Sequence, residues 1–156
     1  MRRRDLLALL LVPAACAPVA EGPLEPPEVA LLDLRPHRPG LFAQELRLRL
    51  RLANPNPVDL TVRGLRLTLV VDGRPLGTAL SDRRFLLPAL GARTVEPVLS
   101  VPTDALLTWL LGVLERGRFR YRLEGEVLVE AGPGTIRALP FARETVFAVP
   151  GAMRPG

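Results

Sequence analysis

The sequence is poor in the residues that metal sites, disulfides and most catalytic sites require. It has one cysteine, Cys16, and one histidine, His37, among 156 residues, and aromatic residues make up 4% of the chain. A single cysteine excludes an intramolecular disulfide, and the lack of any Cys–His or His–His spacing argues against a zinc ion. His37 stands between Pro36 and Arg38, where we expect a solvated loop. The sequence therefore predicts no metal ion.

Catalytic motifs are also missing. There is no glycine-rich phosphate loop and no Gly-x-Ser-x-Gly elbow. The two serines, Ser81 and Ser100, share one candidate histidine as an activating base. Glu124 and Glu126 alternate with arginines, and we expect ion pairs between them. The prediction is a protein that is not an enzyme, with no catalytic residue and no cofactor.

Lysine is absent, so arginine carries all of the positive charge, and the formal net charge is +5. No aromatic residues interleave with the arginines of the predicted strands to stack on bases. Arginine at alternate strand positions is typical of a solvated face. We therefore expect no nucleic-acid partner.

The first 27 residues have the pattern of a targeting segment followed by a tether. Residues 2–4 are arginine, residues 6–12 are apolar, and Ala14, Ala15 and Cys16 follow. The apolar run is too short to span a bilayer. Residues 16–27 are rich in proline, which predicts an extended tether.

This arrangement resembles a bacterial lipoprotein signal. The resemblance implies that residues 1–15 form a removable signal peptide and that Cys16 carries the lipid. The alternative is an ordinary secretory signal with an incidental thiol. We expect an envelope protein held to the membrane by the lipid at Cys16, or a cytoplasmic protein if the leader is not processed.

The central stretch of the chain predicts two β-strands. Leucines alternate with arginines in the first strand, a period of two that is typical of a half-buried strand: Leu46, Leu48, Leu50 and Leu52. That strand ends at Asn54, Pro55, Asn56 and Pro57, because the prolines remove backbone donors. We expect Asn54 or Asn56 to cap backbone groups of the connection.

The second strand contains a change of phase. Its apolar residues occupy even positions up to Val62 and odd positions from Leu65 onward, and Gly64 lies between them. A shift of one residue would turn side chains to the wrong face, so we predict a β-bulge at Gly64, with glycine tolerating an unusual dihedral angle. Asp72 and Gly73 then predict a tight turn.

The remainder of the chain predicts several further strands and one helix. Strands are expected at residues 29–34, 74–79, 85–90, 94–101 and 118–129, with one or two closing strands between 135 and 149. A helix is expected at residues 103–116, with Thr103 as its N-cap and Gly117 as its end. About seven short alternating strands predict an antiparallel β-sandwich over residues 28–150, followed by a flexible tail at 151–156.

The predicted helix carries a broad stripe of leucines: Leu106, Leu107, Leu110, Leu111 and Leu114. Such a stripe either closes one end of the sandwich or contacts a partner or a membrane, and its period favours burial against the sheet. Trp109 lies off the stripe. It either covers the rim of the sandwich or is an exposed partner contact.

The order of these features resembles the LEA14-type (group 2 late-embryogenesis-abundant, water-stress and hypersensitive-response) domain. The resemblance rests on the strand, Asn-Pro-Asn-Pro, strand and VDGRPLG series, and continues through LPALGARTVEPVLSVP, the helix and FRYRLEGEV. It covers about residues 27–150. It implies an immunoglobulin-like or fibronectin-III-like sandwich, with no active site to carry over. The motif positions are structural: Asn54, Pro55, Asn56, Pro57, Gly64, Asp72 and Gly73.

The resemblance also implies a role in protection during water stress. We expect a monomer with weak protein partners. Two alternatives stay open, namely an accessory subunit that binds one partner of an envelope complex through a strand edge or Trp109, and a β-sandwich that handles lipids.

Overall fold

The computed structural model describes residues 23–148, which form nine β-strands and one α-helix. The strands are β1 (Glu28–Arg38), β2 (Ala43–Ala53), β3 (Leu60–Val71), β4 (Arg74–Ser81), β5 (Phe85–Leu87), β6 (Ala92–Val95), β7 (Val98–Pro102), β8 (Arg118–Gly132) and β9 (Thr135–Ala148), and helix α1 is Thr103–Arg116. The predicted signal peptide, Cys16, most of the tether and the tail lie outside the described residues.

All of the strand pairs are antiparallel and belong to one curled sheet. Its order is β1-β2-β7-β4-β3-β8-β9, with β5 paired to β3 and β6 paired to β2. The prediction of an all-β antiparallel fold with one short inserted helix is confirmed. The single α-helix of residues 23–148 occupies residues 103–116, where the sequence predicts it.

The core lies inside the curl and follows from the alternation in the sequence. In β2, Leu48, Leu50 and Leu52 are fully buried, whereas the arginines between them are exposed. Equivalent alternate residues of the other long strands complete one hydrophobic cluster, including Leu67, Leu69, Leu99, Val101, Leu123, Val127 and Val129. Period-two patterning therefore decides which face of each strand is buried.

The bulge and the turn of β3 occur where they are predicted. Val62 pairs with Val129 and Gly64 with Leu128, so Arg63 is the extra residue. The reason for glycine differs from the prediction, because Gly64 does not have a positive φ. A Cβ atom there would instead lie 3.0 Å from the Ser81 carbonyl oxygen.

The turn between β3 and β4 has two central residues in the left-handed region. Asp72 has φ 46° and Gly73 has φ 81°. Positive φ at both positions is the geometry of a type I′ hairpin turn, which matches the twist of the flanking strands.

Three local predictions are wrong. First, β1 continues through His37 to Arg38, so the histidine lies in a strand rather than a loop. Second, residues 94–101 form two strands, because the chain breaks at Glu96 and Pro97 between β6 and β7. Third, Pro102 rather than Thr103 occupies the N-cap position, and it makes no side-chain cap.

The molecule has two distinct poles. The asparagine pole contains the β2–β3 connection, the β5–β6 connection and the entry to β1, since Glu28 pairs with Ala53. The helix pole contains α1, the Asp72–Gly73 turn and the β1–β2 connection, since the Thr103 amide donates a hydrogen bond to the Phe42 carbonyl at 3.0 Å.

Candidate functional site

Asn54 joins the β2–β3 connection to the β5–β6 connection at the asparagine pole. Its side-chain amide, which is 3% exposed, donates to the carbonyls of Val58 at 2.8 Å, Leu87 at 3.2 Å and Pro88 at 3.1 Å. Its Oδ1 accepts hydrogen bonds from the backbone amide of Asn56 at 3.0 Å and from the Asn56 side chain at 2.9 Å. A buried amide can be accommodated here because its donors and its acceptor are all used.

Asn56 extends the same network to the start of the domain. Its Oδ1 accepts the Glu25 amide hydrogen at 2.7 Å, and its Nδ2 donates to the Glu25 carbonyl at 2.8 Å. The predicted capping of loop backbone groups by these asparagines is confirmed. The network holds three backbone segments together, so we assign it a structural role.

Asp72 fastens helix α1 to the sheet at the opposite pole. One carboxylate oxygen accepts a hydrogen bond from Arg116 Nη2 at 2.7 Å, and the other accepts the Arg120 amide hydrogen at 3.0 Å. The Asp72 amide donates to the Arg120 carbonyl at 2.8 Å. The helix ends at Gly117, where φ is 66°, which is the left-handed cap that glycine permits.

The inward face of α1 consists of aliphatic residues and one tryptophan. Ala105, Leu106 and Trp109 pack against the core cluster, and Val113 is buried. The Trp109 ring meets Phe119 edge to face, with 5.4 Å between ring centroids. Trp109 therefore covers the rim of the core and is partly buried, while a partner contact through it stays a prediction.

The outward face of α1 is a row of four leucines, which we call the leucine ridge. Their exposed fractions are 56% for Leu107, 41% for Leu110, 63% for Leu111 and 78% for Leu114. The expectation that the leucine stripe is buried against the sheet is therefore wrong for these four residues, whereas Leu106 does pack against the core. Both faces of this helix are apolar, so the period alone could not decide which one packs on the sheet.

The β1–β2 connection adds two apolar side chains to this pole. Leu41 and Phe42 are each 89% exposed, and the Phe42 carbonyl is bonded to the first turn of α1. Together with the leucine ridge, they give the helix pole six large apolar side chains that are exposed to solvent. The sequence analysis missed Leu41 and Phe42, although two adjacent large apolar residues after Gly40 were a usable signal.

The other candidate side chains do not form a reactive cluster. The His37 ring nitrogen Nδ1 lies 3.0 Å from Arg47 Nη2 near the end of β1, while Ser81 ends β4 and Ser100 lies in β7. Within residues 23–148, no group of three His, Cys, Asp or Glu side chains could hold a metal ion. Of the two glutamates predicted to pair with arginines, Glu124 does so, with Arg122 at 3.0 Å. Among the described residues, a membrane-spanning helix is not found, since α1 has 14 residues.

The fold is thus a curled all-β domain with one inserted helix and a β2–β3 connection that is capped by asparagines. A known protein family matches most of this domain. The family model described as late embryogenesis abundant protein (LEA_2) matches residues 49–144, which is more than half of the chain. The chain belongs to this family. The LEA14-like prediction is thereby confirmed.

Two solved structures show the same fold. A protein from Archaeoglobus fulgidus is similar at 17% identity and a TM-score of 0.50, covering 81% of this chain and 98% of that one. A protein from Arabidopsis thaliana is similar at 16% identity and a TM-score of 0.57, covering 81% and 84%. No curated protein sequence matches the chain significantly.

Proposed function

We propose that this protein is a non-catalytic, envelope-anchored member of the family that protects other proteins during water stress. The leucine ridge carries the proposal, because it is an apolar surface that the fold holds in solvent. Proteins that lose water unfold in part and expose apolar segments. Contact with the ridge covers those segments and keeps them from associating with one another.

The contact is weak and reversible. Complete burial of one leucine contributes about 1.5–3 kcal/mol, and the ridge leucines are already partly covered. Four such side chains can hold an unfolded segment briefly without trapping it. The interior offers no comparable surface, since Leu48, Leu50, Leu52 and Leu99 have no exposed surface.

The position of the tether supports proteins rather than the anchoring membrane as the partner. Glu25 is bonded to Asn56 at the asparagine pole, and the 11 residues of β1 then run toward the helix pole, a distance of about 35 Å. With the chain anchored at Cys16, the tether would enter the domain at the pole opposite the leucine ridge. The ridge is then available to proteins of the envelope space.

The test is a drying and rehydration assay on an enzyme that loses activity when it is dried. We expect the full chain to reduce light scattering and preserve activity in proportion to its concentration. The double variant Leu110→Gln/Leu111→Gln is expected to lose most of this protection. The control Leu80→Gln/Leu86→Gln removes two leucines that are 74% and 46% exposed on the sheet, and it should protect like the parent. Equal protection by both double variants would contradict the proposal.

A second candidate function is that of an accessory subunit. The observation that favours it is the number of large apolar side chains exposed at the helix pole, namely the four ridge leucines, Leu41 and Phe42. A single protein recovered with the chain in equal amount would support this candidate. Recovery of many unrelated proteins under drying favours protection.

A further inference from the structure

The sheet is split next to a group of arginines on β2, β6 and the β4–β5 connection. β5 pairs only with β3, and β6 pairs only with β2, so no ladder joins these two strands within the described chain. The neighbouring strands β4 and β7 pair only at Thr78–Ser100 and Ala79–Leu99. The gap between the β4–β5 connection and the β6–β7 junction is a cleft of about 450 Å³.

The charges that line this cleft are mostly of one sign. It is lined by Arg49 of β2, Arg83 and Arg84 of the β4–β5 connection, and Arg93 of β6, with Glu96 as its one acidic residue. Four guanidinium groups in a concave surface raise the local positive potential above that of a flat face. An anion that enters the cleft lowers this repulsion.

Two of these arginines are fixed by the fold and two are unengaged. Arg84 pairs with Glu130 at 3.3 Å, and Arg93 donates to the Leu86 carbonyl at 3.2 Å while lying 5.6 Å from the centre of the Phe85 ring. The side chains of Arg49 and Arg83 make no hydrogen bond or ion pair within residues 23–148. Their guanidinium donors are thus available to a ligand.

We propose that this cleft binds a phosphate group. Guanidinium forks match phosphate oxygens in bidentate geometry, and several forks suit a group with three terminal oxygens. The volume is within the range of small-ligand sites. The apolar side chains of Leu65, Phe85 and Val95 also line the cleft. The phosphate is therefore either that of a free anion or the headgroup of a lipid whose chain follows these residues.

The test is titration calorimetry on the full chain at low ionic strength. One arm uses inorganic phosphate, and the other uses a short-chain phosphatidic acid below its micelle concentration. We expect saturable binding in at least one arm. Because hydrogen bonds to charged groups are strong, the double variant Arg49→Gln/Arg83→Gln should weaken the affinity for the phosphate ligand by about tenfold or more.

The matched control is Arg137→Gln/Arg143→Gln, which removes the same charge from exposed positions of β9. It should leave the affinity within about twofold, because neither residue lines the cleft. Unfolding midpoints of both double variants verify that they fold. Equal binding in the two arms identifies a free phosphate group as the ligand, and binding at least about tenfold tighter to the lipid identifies the headgroup.

Three results would overturn the proposal: no saturable heat in either arm, equal weakening by the two double variants, or equally tight binding of a dicarboxylate. The arginines of the cleft are distinct from the leucine ridge. Failure here therefore leaves the drying assay unaffected, and failure of the drying assay leaves this site unaffected.

Discussion

At the scale of single residues, the buried polar groups at one pole organise three segments of the chain. Asn54 and Asn56 are the buried polar residues of the described chain, with exposed fractions of 3% and 5%. A satisfied hydrogen bond between neutral groups contributes about 0.5–1.5 kcal/mol of net stability, but a buried group left without a partner is costly. Loss of either asparagine should therefore destabilise the fold mainly because it leaves buried backbone groups without hydrogen-bond partners.

Replacing Asn54 with alanine is expected to destabilise the protein by about 3 kcal/mol, because it strips a donor from three buried or part-buried carbonyls and an acceptor from Asn56. Chemical denaturation measures this change. Asp82→Ala is the control, since Asp82 is exposed and outside the network, and it should stay within about 0.5 kcal/mol of the parent. Similar stability of the two variants would show that the network is not required.

At the scale of elements, helix α1 shows what the sequence can and cannot predict. Its bounds and its end at Gly117 follow from local signals. The choice of face does not, because apolar residues lie on both sides: the leucine ridge on one, and Ala105, Leu106, Trp109 and Val113 on the other. Trp109 packs inward against Phe119 while Arg116 reaches Asp72, and both contacts join residues that the sequence pattern cannot pair.

The orientation of α1 predicts opposite outcomes for two alanine variants. Trp109→Ala should cost about 2 kcal/mol, because it opens a partly buried space beside Phe119. Leu111→Ala should change stability by no more than about 0.5 kcal/mol, because that side chain is largely in solvent. Thermal or denaturant unfolding distinguishes them. A larger loss for Leu111→Ala would mean that the ridge faces the sheet.

The strands illustrate the same limit. The alternation in β2 and β3, the bulge at Gly64 and the turn at Asp72 could all be predicted, because each follows from a local pattern. The break at Pro97 and the arginine cleft could not. The cleft takes its arginines from β2, β6 and the β4–β5 connection, and only the pairing of the strands brings these residues together.

At the scale of the whole molecule, the proposed function gives the two poles different roles. The asparagine pole receives the chain from the tether, and the helix pole presents the leucine ridge. The proposal that the membrane anchor and the leucine ridge lie at opposite poles requires that Cys16 carry a lipid. Intact mass of protein from its native membrane fraction is expected to begin at Cys16 and to include acyl chains. A full-length, unmodified mass from the soluble fraction would contradict the proposed lipid anchor at Cys16.

The central claim is that the leucine ridge contacts other proteins as they lose water. A photo-crosslinking residue at position 111 of the full chain, introduced in living cells, tests it most directly, with position 80 as the exposed control on the sheet. On drying, the account predicts crosslinks from position 111 to many different proteins and few from position 80. Crosslinks from position 111 to lipid alone, to one protein alone, or no more often than from position 80, would contradict it.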